Sequence, residues 1–457
     1  MPSDPPNVLF LFADQHRADW LGTNPDVPVR TPNVDGLAER GVRFRNAVTP
    51  SPVCAPARAC LAAGVEFPRS PVRSNGDDFP TDRPTVYRRL RDEAGYFVTG
   101  CGKFDLHKNT YEWGADGSSR LAEWGFSGGL DVAGQVDTAL AYSLDRHPAS
   151  LPPGESDWGL NDAIEHVRAG AEPHDPYSAY LAERGLLQSF IEKHRDRTGA
   201  YVTPLPDHAF QDEWIGRRAM DVLQELPEDR PWFMQVNFVG PHNPWDVTEE
   251  MHGWYRDPDV SFPDPTGVDA DVSHQDVRRN YAAKIELIDR WIGQYLARLD
   301  DRGDLEETVV VYASDHGEML SDRGDWGKGQ PHHPSVSVPM VAAGPGIASG
   351  VVCETPVSVL DLHRTFCGLA GLRSDAEGRS LEPLFEGETI DRDLVYSALD
   401  DWEMAFDGRF KLVERDGTPA SRTLYEVTDD GETERSPDDH PDRVARLADG
   451  LEAYGSR

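Results

Sequence analysis

Residues 50–64 read PSPVCAPARACLAAG, and they hold the most reactive side chain of the sequence in a charged setting. Pro56 suits the first turn of a helix, the alanines from Ala57 to Ala63 favour one, and Gly64 can end it. Cys54 is therefore expected at a helix N-terminus. Free backbone N–H groups and the positive end of the helix dipole attract an anion there. Arg58, one turn on, adds a fixed positive charge with forked donors. Taken alone, Cys54 reads better as an ordinary small core residue. Cys60, Cys101, Cys353 and Cys367 have no such setting and read as packing residues.

The elements that must position this segment are legible as apolar runs with polar ends. Residues 7–13 run into Asp14 and Gln15, and residues 96–99 into Gly100, Gly102 and Lys103. Residues 232–238 run into Gly240, Pro241 and His242, and residues 308–314 into Asp315, His316 and Gly317. Residues 338–343 end in Gly344-Pro345-Gly346. Non-alternating runs of this length suit strands buried on both faces. Helical spacing over 85–93, 211–226, 280–299 and 357–370 fills the intervals. The alternation predicts an α/β fold with a doubly wound, mostly parallel sheet. Ligands of such sheets bind beyond the carboxyl ends of the strands. Asp14, Lys103, His242, Asp315 and His316 converge on that edge. Carboxylates from two strand ends suit a hard divalent cation such as Ca²⁺, Mg²⁺ or Mn²⁺, and a histidine beside them tilts the choice toward Mn²⁺.

Residues 1–384 read as the α/β unit, with 143–206 a Pro-, Gly-, His- and acid-rich insertion of the kind that selects substrate. From 385 to 457 the pattern changes to short strands at 394–397, 410–413 and 424–427 and a final helix. This is a small C-terminal α+β subdomain.

Cys54-Ala-Pro-Ala-Arg58 matches the pattern C-x-P-x-R. Its upstream context, TPNVDGLAERGVRFRNAVTPSPVCAPARA over residues 31–59, resembles the signature of the formylglycine-dependent sulfatases of the alkaline-phosphatase superfamily. The resemblance implies an alkaline-phosphatase-like fold and a sulfuric ester hydrolase. It implies that a maturation enzyme oxidises Cys54 to formylglycine. It also implies one divalent metal on Asp14, the modified Cys54, Asp315 and His316, with family precedent favouring Ca²⁺ or Mg²⁺. Many members carry Asp-Asp after the first strand, whereas this chain has Asp14-Gln15. The Gln15 amide oxygen either ligates or only hydrogen-bonds. Asp-Gln combined with Asp-His resembles the choline-sulfatase and phosphonate monoester hydrolase branch.

The substrate-handling residues follow from the same resemblance. The family's G-K-x-H maps onto GKFDLHK, so Lys103 is expected on the sulfate. Asp105 stands where the histidine is usual, and His107, two residues later, is expected to serve the formylglycine hydroxyl unless it is a surface histidine. His242 in GPHNPWD matches P-H-x-P and is expected to protonate the leaving alkoxide. Lys328 in DWGKGQPHHP matches the downstream lysine that touches sulfate and leaving group. The usual Tyr-Glu after it is replaced by Pro331-His332-His333-Pro334, whose histidines line the pocket or are solvated. Trp245, Trp326 and Trp402 form an apolar wall or belong to the core. In the implied mechanism Asp315 takes a proton from the hydrated formylglycine and a hydroxyl attacks sulfur. Arg58, Lys103 and Lys328 hold the sulfuryl oxygens, and His107 drives release of sulfate.

The composition bounds the partners. The 457 residues carry 80 acidic against 45 basic side chains, a formal charge of -35. Such a surface repels nucleic acid and anionic membranes, and the spread of acid along the chain resembles halophilic proteins. Residues 8–13 are too short a run for a targeting or membrane segment, and five cysteines without CxxC suit a reducing compartment. The expectation is a cytoplasmic enzyme acting on a small sulfate ester, with oligomerisation open. Two rival readings are a phosphonate monoester or phosphodiester hydrolase on the same scaffold, and a non-catalytic metal- or anion-binding relative.

Overall fold

The computed structural model describes residues 5–111, 113–143, 160–195, 199–269, 272–429 and 431–455. Its main sheet has eight strands: β1 (Asn7–Asp14), β2 (Val42–Phe44), β3 (Phe97–Gly102), β4 (Leu130–Asp131), β5 (Trp232–Pro241), β6 (Thr308–Ser314), β7 (Met340–Ala343) and β8 (Val351–Cys353). Their order across the sheet is β8-β2-β7-β6-β1-β5-β3-β4. Only β7 runs against the rest, pairing antiparallel with both β6 and β2.

Strand β1 lies at the centre, parallel to β6 on one side and β5 on the other. Its side chains alternate between two cores. Leu9 and Leu11 face one cluster, and Val8, Phe10 and Phe12 face the other. All five are almost fully buried, and each contributes about 2 kcal/mol by leaving water. Because both faces are covered, no polar alternation marks the strand in the sequence.

Seven helices matter to the site and its support: α1 (Cys54–Ala63), α2 (Val86–Asp92), α3 (Gln135–Leu140), α4 (Gln211–Gln224), α5 (Val272–Arg302), α6 (Asp361–Leu369) and α7 (Pro441–Gly455). Trp214, Ile215 and Ala219 of α4 and Tyr281, Ile288 and Ile292 of α5 cover the Leu9 face. Ala55 and Ala59 of α1, Leu90 of α2 and Phe366 of α6 cover the Phe10 face. The result is the expected doubly wound α/β arrangement. Two local readings differ. The 357–370 pattern opens with a two-residue strand, Val357–Ser358, paired with Ala47–Val48, and the helix begins only at Asp361. The apolar run at 338–343 gave no sign of the direction of β7, because a doubly buried strand reads alike in either direction.

Beyond the main sheet, β9 (Val395–Leu399), β10 (Trp402–Phe406), β11 (Phe410–Arg415), β12 (Thr418–Thr428) and β13 (Gly431–Arg435) form a separate antiparallel sheet in sequential order. Helix α7 covers it through Leu447, Ala448 and Leu451 against Ala405, Leu412 and Leu424. Of the 143–206 segment, residues 144–159 and 196–198 lie outside the described residues. The rest carries helices Leu160–Arg168, Pro176–Glu183 and Leu187–Glu192. They bury Ile164, Tyr177, Leu181 and Phe190 in the cluster that also holds α4. Among the described residues, no helix is long and apolar enough to cross a membrane.

Candidate active site

Parallel pairing gathers the polar strand ends. Ala13 is in register with Ser314, Asp14 with Pro241, and Gly102 with Asn237. The residues that follow these pairs are Gln15, Asp315, His242 and Lys103, so one edge of the sheet receives them all. Helix α1 meets this edge with Cys54 as its first residue. Val53 caps it in extended conformation, and Gly64 ends it at φ +70° with its N–H on the Cys60 carbonyl. The Asn75 side-chain oxygen accepts from the Ala55 N–H at 3.1 Å and ties the helix start in place.

Asp14, Cys54, Asp315 and His316 are fully buried, and one ligand atom of each lies within 4.8 Å of the others. His316 Nε2 stands 3.3 Å from Cys54 Sγ and 3.7 Å from Asp14 Oδ1. Its Nδ1 lies 2.9 Å from the Gly317 carbonyl, which aims Nε2 at the cluster, where it can give a lone pair to a bound cation. Asp315 Oδ1 accepts from the Gln15 and His316 backbone N–H groups at 3.0 and 2.9 Å. Two carboxylates, an imidazole nitrogen and the position-54 side chain form a donor set that fits a divalent cation.

Gln15 stands beside this set. Its side-chain Nε2 donates to Glu318, which leaves Oε1 turned toward Lys328 Nζ at 2.9 Å. Glu318 is itself fixed, since its Oε1 accepts from the Leu320 and Gly327 N–H groups at 2.9 and 2.6 Å. Gln15 adopts φ +70°, a left-handed backbone that side chains other than glycine rarely take. Glu318 is not marked out by the sequence, although it lies only three residues after Asp315 in the segment that follows β6.

Cations surround the cluster. Arg58 Nε donates to Asp315 Oδ2 at 2.9 Å, and its Nη1 reaches the Lys103 carbonyl and, at 3.3 Å, Asn237 Oδ1. Its Nη2 is buried without a hydrogen-bond partner, 3.8 Å from Asp14 Oδ2. Such an orphaned guanidinium N–H is a donor waiting for an oxyanion. Lys103 Nζ bonds Asp14 and lies 3.0 Å from Asp105 Oδ2. Lys328 Nζ lies 2.9 Å from Cys54 Sγ. Burial and Asp14 push the Cys54 thiol up, yet Lys103, Lys328 and His316 outweigh them and bring it down to about 5. Burial, then Lys328, holds the half-buried His242 well below the usual imidazole range. The His242 carbonyl accepts from Lys284 Nζ at 2.6 Å, which anchors its turn.

The structure therefore brings Asp14, Gln15, Cys54, Arg58, Lys103, Asp315, His316 and Lys328 together, with His242 within their field. It does not bring His107 into the group. His107 Nε2 is 2.8 Å from Asp131 Oδ2, and its ring lies 5.5 and 5.2 Å from those of Trp113 and Trp124. His332 and His333 are half-buried. Both engage Glu432 of β13, at 3.3 Å through His332 Nδ1 and 2.5 Å through the His333 N–H. Trp326 is exposed and packs 5.0 Å from Trp245, while buried Trp402 donates from Nε1 to the Gly329 carbonyl at 3.0 Å.

Comparison with known proteins is consistent across sequence and fold. The sulfatase family model matches residues 6–372. The choline-sulfatase of Rhizobium meliloti is 29% identical over 420 residues, covering 85% of this chain and 73% of its own length. The arylsulfatase of Clostridium perfringens is 24% identical over 407 residues, covering 83% of this chain and 78% of its own. The crystal structure of the phosphonate monoester hydrolase of Agrobacterium radiobacter superposes with a TM-score of 0.71 over 99% of this chain and 95% of its own, at 23% identity. With the matched region enclosing every strand-end residue of the cluster, the chain belongs to the sulfatase family.

Proposed function

We infer that this chain is a sulfuric ester hydrolase that cleaves a sulfate monoester with a nucleophile derived from Cys54. The observation that carries this reading is the position of Cys54: at a helix start, inside a buried carboxylate and imidazole cluster, and 2.9 Å from the Lys328 ammonium. Around it, the carboxylates Asp14, Asp105 and Asp315 face the cations Arg58, Lys103 and Lys328. These balance. A divalent cation added to the cluster leaves net positive charge, which suits a sulfate anion and the charge that develops as its ester breaks.

Asp14, Asp315, His316, position 54 and the Gln15 oxygen would hold that cation. A cage of this many protein ligands favours Ca²⁺ over Mg²⁺, which keeps several of its waters. When bound, it polarises the sulfuryl oxygens. Formylglycine at position 54, made by a maturation enzyme, supplies as its hydrate two hydroxyls on one carbon, one to displace the alcohol and one to release the sulfate. Asp315 is the acceptor for the first hydroxyl proton. Arg58 Nη2 and Lys103 hold sulfuryl oxygens. Since burial and Lys328 keep His242 neutral, the lysine ammonium supplies the proton for the departing alkoxide, and His242 hydrogen-bonds the same oxygen. The five cysteines are all free and buried, which supports a reducing cytoplasm, and the charge of -35 supports a salt-rich one.

The likeness to phosphonate monoester hydrolases rests on the fold, whereas the named sequence relatives above are sulfatases. The test is hydrolysis of a nitrophenyl sulfate against a nitrophenyl phosphodiester, by protein co-expressed with a formylglycine-generating enzyme. Turnover of the sulfate that disappears in Cys54→Ala supports the reading. A phosphodiester rate exceeding the sulfate rate would replace it with the phosphoryl reading.

A further inference from the structure

The family motif places a histidine two residues after the sulfate-binding lysine, and this chain has Asp105 there. Asp105 is fully buried and takes a left-handed backbone at φ +54°. Its Oδ2 receives Lys103 Nζ at 3.0 Å and Lys108 Nζ at 3.1 Å, while its Oδ1 is buried with no partner. Lys108 continues to Asp137 Oδ2 of α3 at 2.9 Å. The side chains of Asp14, Lys103, Asp105, Lys108 and Asp137 thus form an unbroken buried chain of alternating charge, from the cation cluster to α3. Helix α3 is pressed onto this chain. A Cβ at Gly134, its N-cap, would fall 3.0 Å from Lys103 Cε and 2.8 Å from Asp137 Oδ2. Even when paired, five buried charges add little net stability over apolar side chains, which points to a purpose other than stability.

The purpose follows from Lys103. Its ammonium leans on Asp14, and Asp14 is a carboxylate that a divalent cation would claim. A lysine on a flexible stem that loses its partner loses its aim. We propose that Asp105 is a positioning residue for Lys103. It supplies the counter-charge that keeps the ammonium aimed at the sulfuryl pocket once a cation occupies Asp14, and Lys108 with Asp137 holds Asp105 in turn. This rests on the hydrolase reading above, and it gives Asp105 the motif station that a histidine holds elsewhere, with a different task.

The sign of one effect separates positioning from simple electrostatics. Removing a negative charge beside an anion site strengthens anion binding if charge alone matters. Positioning demands the reverse. Inorganic sulfate binding is measured by calorimetry on the Ca²⁺-loaded protein, with thermal melting to confirm folding. Asp105→Asn is expected to weaken sulfate about tenfold and to lower kcat/KM on an aryl sulfate by a similar factor. The charge-balanced double variant Asp105→Asn/Lys108→Met is expected to show the same loss, and it carries the test should the single variant not fold. Tighter or unchanged sulfate binding in the folded variants overturns the proposal. Wild-type protein that binds sulfate yet leaves aryl sulfates intact would fail the hydrolase reading instead, and the sign of the sulfate effect would still decide the role of Asp105.

Discussion

Lys328 Nζ lies 2.9 Å from Cys54 Sγ, across 274 residues of sequence. The contact joins the first turn of α1 to a loop beyond β6. It sets the thiol low, together with Lys103 and His316, and it puts an ammonium directly beside position 54.

If Lys328 serves the leaving group, Lys328→Met lowers kcat by about a hundredfold or more. The loss grows as the leaving alcohol becomes less acidic, because a poorer leaving group needs its proton more. A series of aryl sulfates of graded phenol acidity measures this. A uniform loss across the series would confine Lys328 to sulfate binding.

The unmodified protein gives a pH test. With a folded value of about 5 against an ordinary thiol near 9, Cys54 is a thiolate at neutral pH and takes up a proton only as the pH falls through about 5. Thiolate absorbance of the metal-free protein, taken as the difference from Cys54→Ala, is expected to titrate near that value. Burial pushes the Cys60 and Cys101 thiols up, so neither contributes to the signal near neutrality.

Glu318 fixes both the Gln15 amide and the N–H groups of Leu320 and Gly327. Glu318→Ala therefore weakens the cation through its outer support, by about ten- to a hundredfold. Calorimetric titration of Ca²⁺ measures the affinity, and saturating Ca²⁺ is expected to restore much of the activity.

Much of this was legible in the sequence because it is local. The apolar runs carry their polar ends with them, so Asp14, Lys103, His242, Asp315 and His316 were placed on one edge before any pairing was known. The helix signals around Cys54 lie within ten residues. What stayed hidden depends on distant partners. The Glu432 contacts of His332 and His333 span about a hundred residues, so the sequence does not announce them. The lysine chain through Asp105 and Lys108 reaches α3 by way of a left-handed turn that GKFDLHK does not announce. The buried pairing of His107 with Asp131 likewise needs a strand, β4, too short to show a period.

Glu432 is the partner of the fully buried Lys411 at 3.1 Å, and Lys411 also donates to the Pro331 carbonyl. Glu432→Gln leaves that ammonium without its counter-charge, at a cost of about 3 kcal/mol in urea unfolding. The same change frees the Pro331–Pro334 segment from β13, so KM for bulky sulfate esters is expected to shift while the smallest aryl sulfate is handled as before.

The central claim is that Cys54 is the precursor of the nucleophile. Mass spectrometry of the tryptic peptide from Asn46 to Arg58, on protein from its native host, tests it most directly. The account requires a peptide in which the Cys54 thiol has become an aldehyde, present in the fraction that hydrolyses aryl sulfate. Active, folded protein in which Cys54 is unmodified throughout would contradict it.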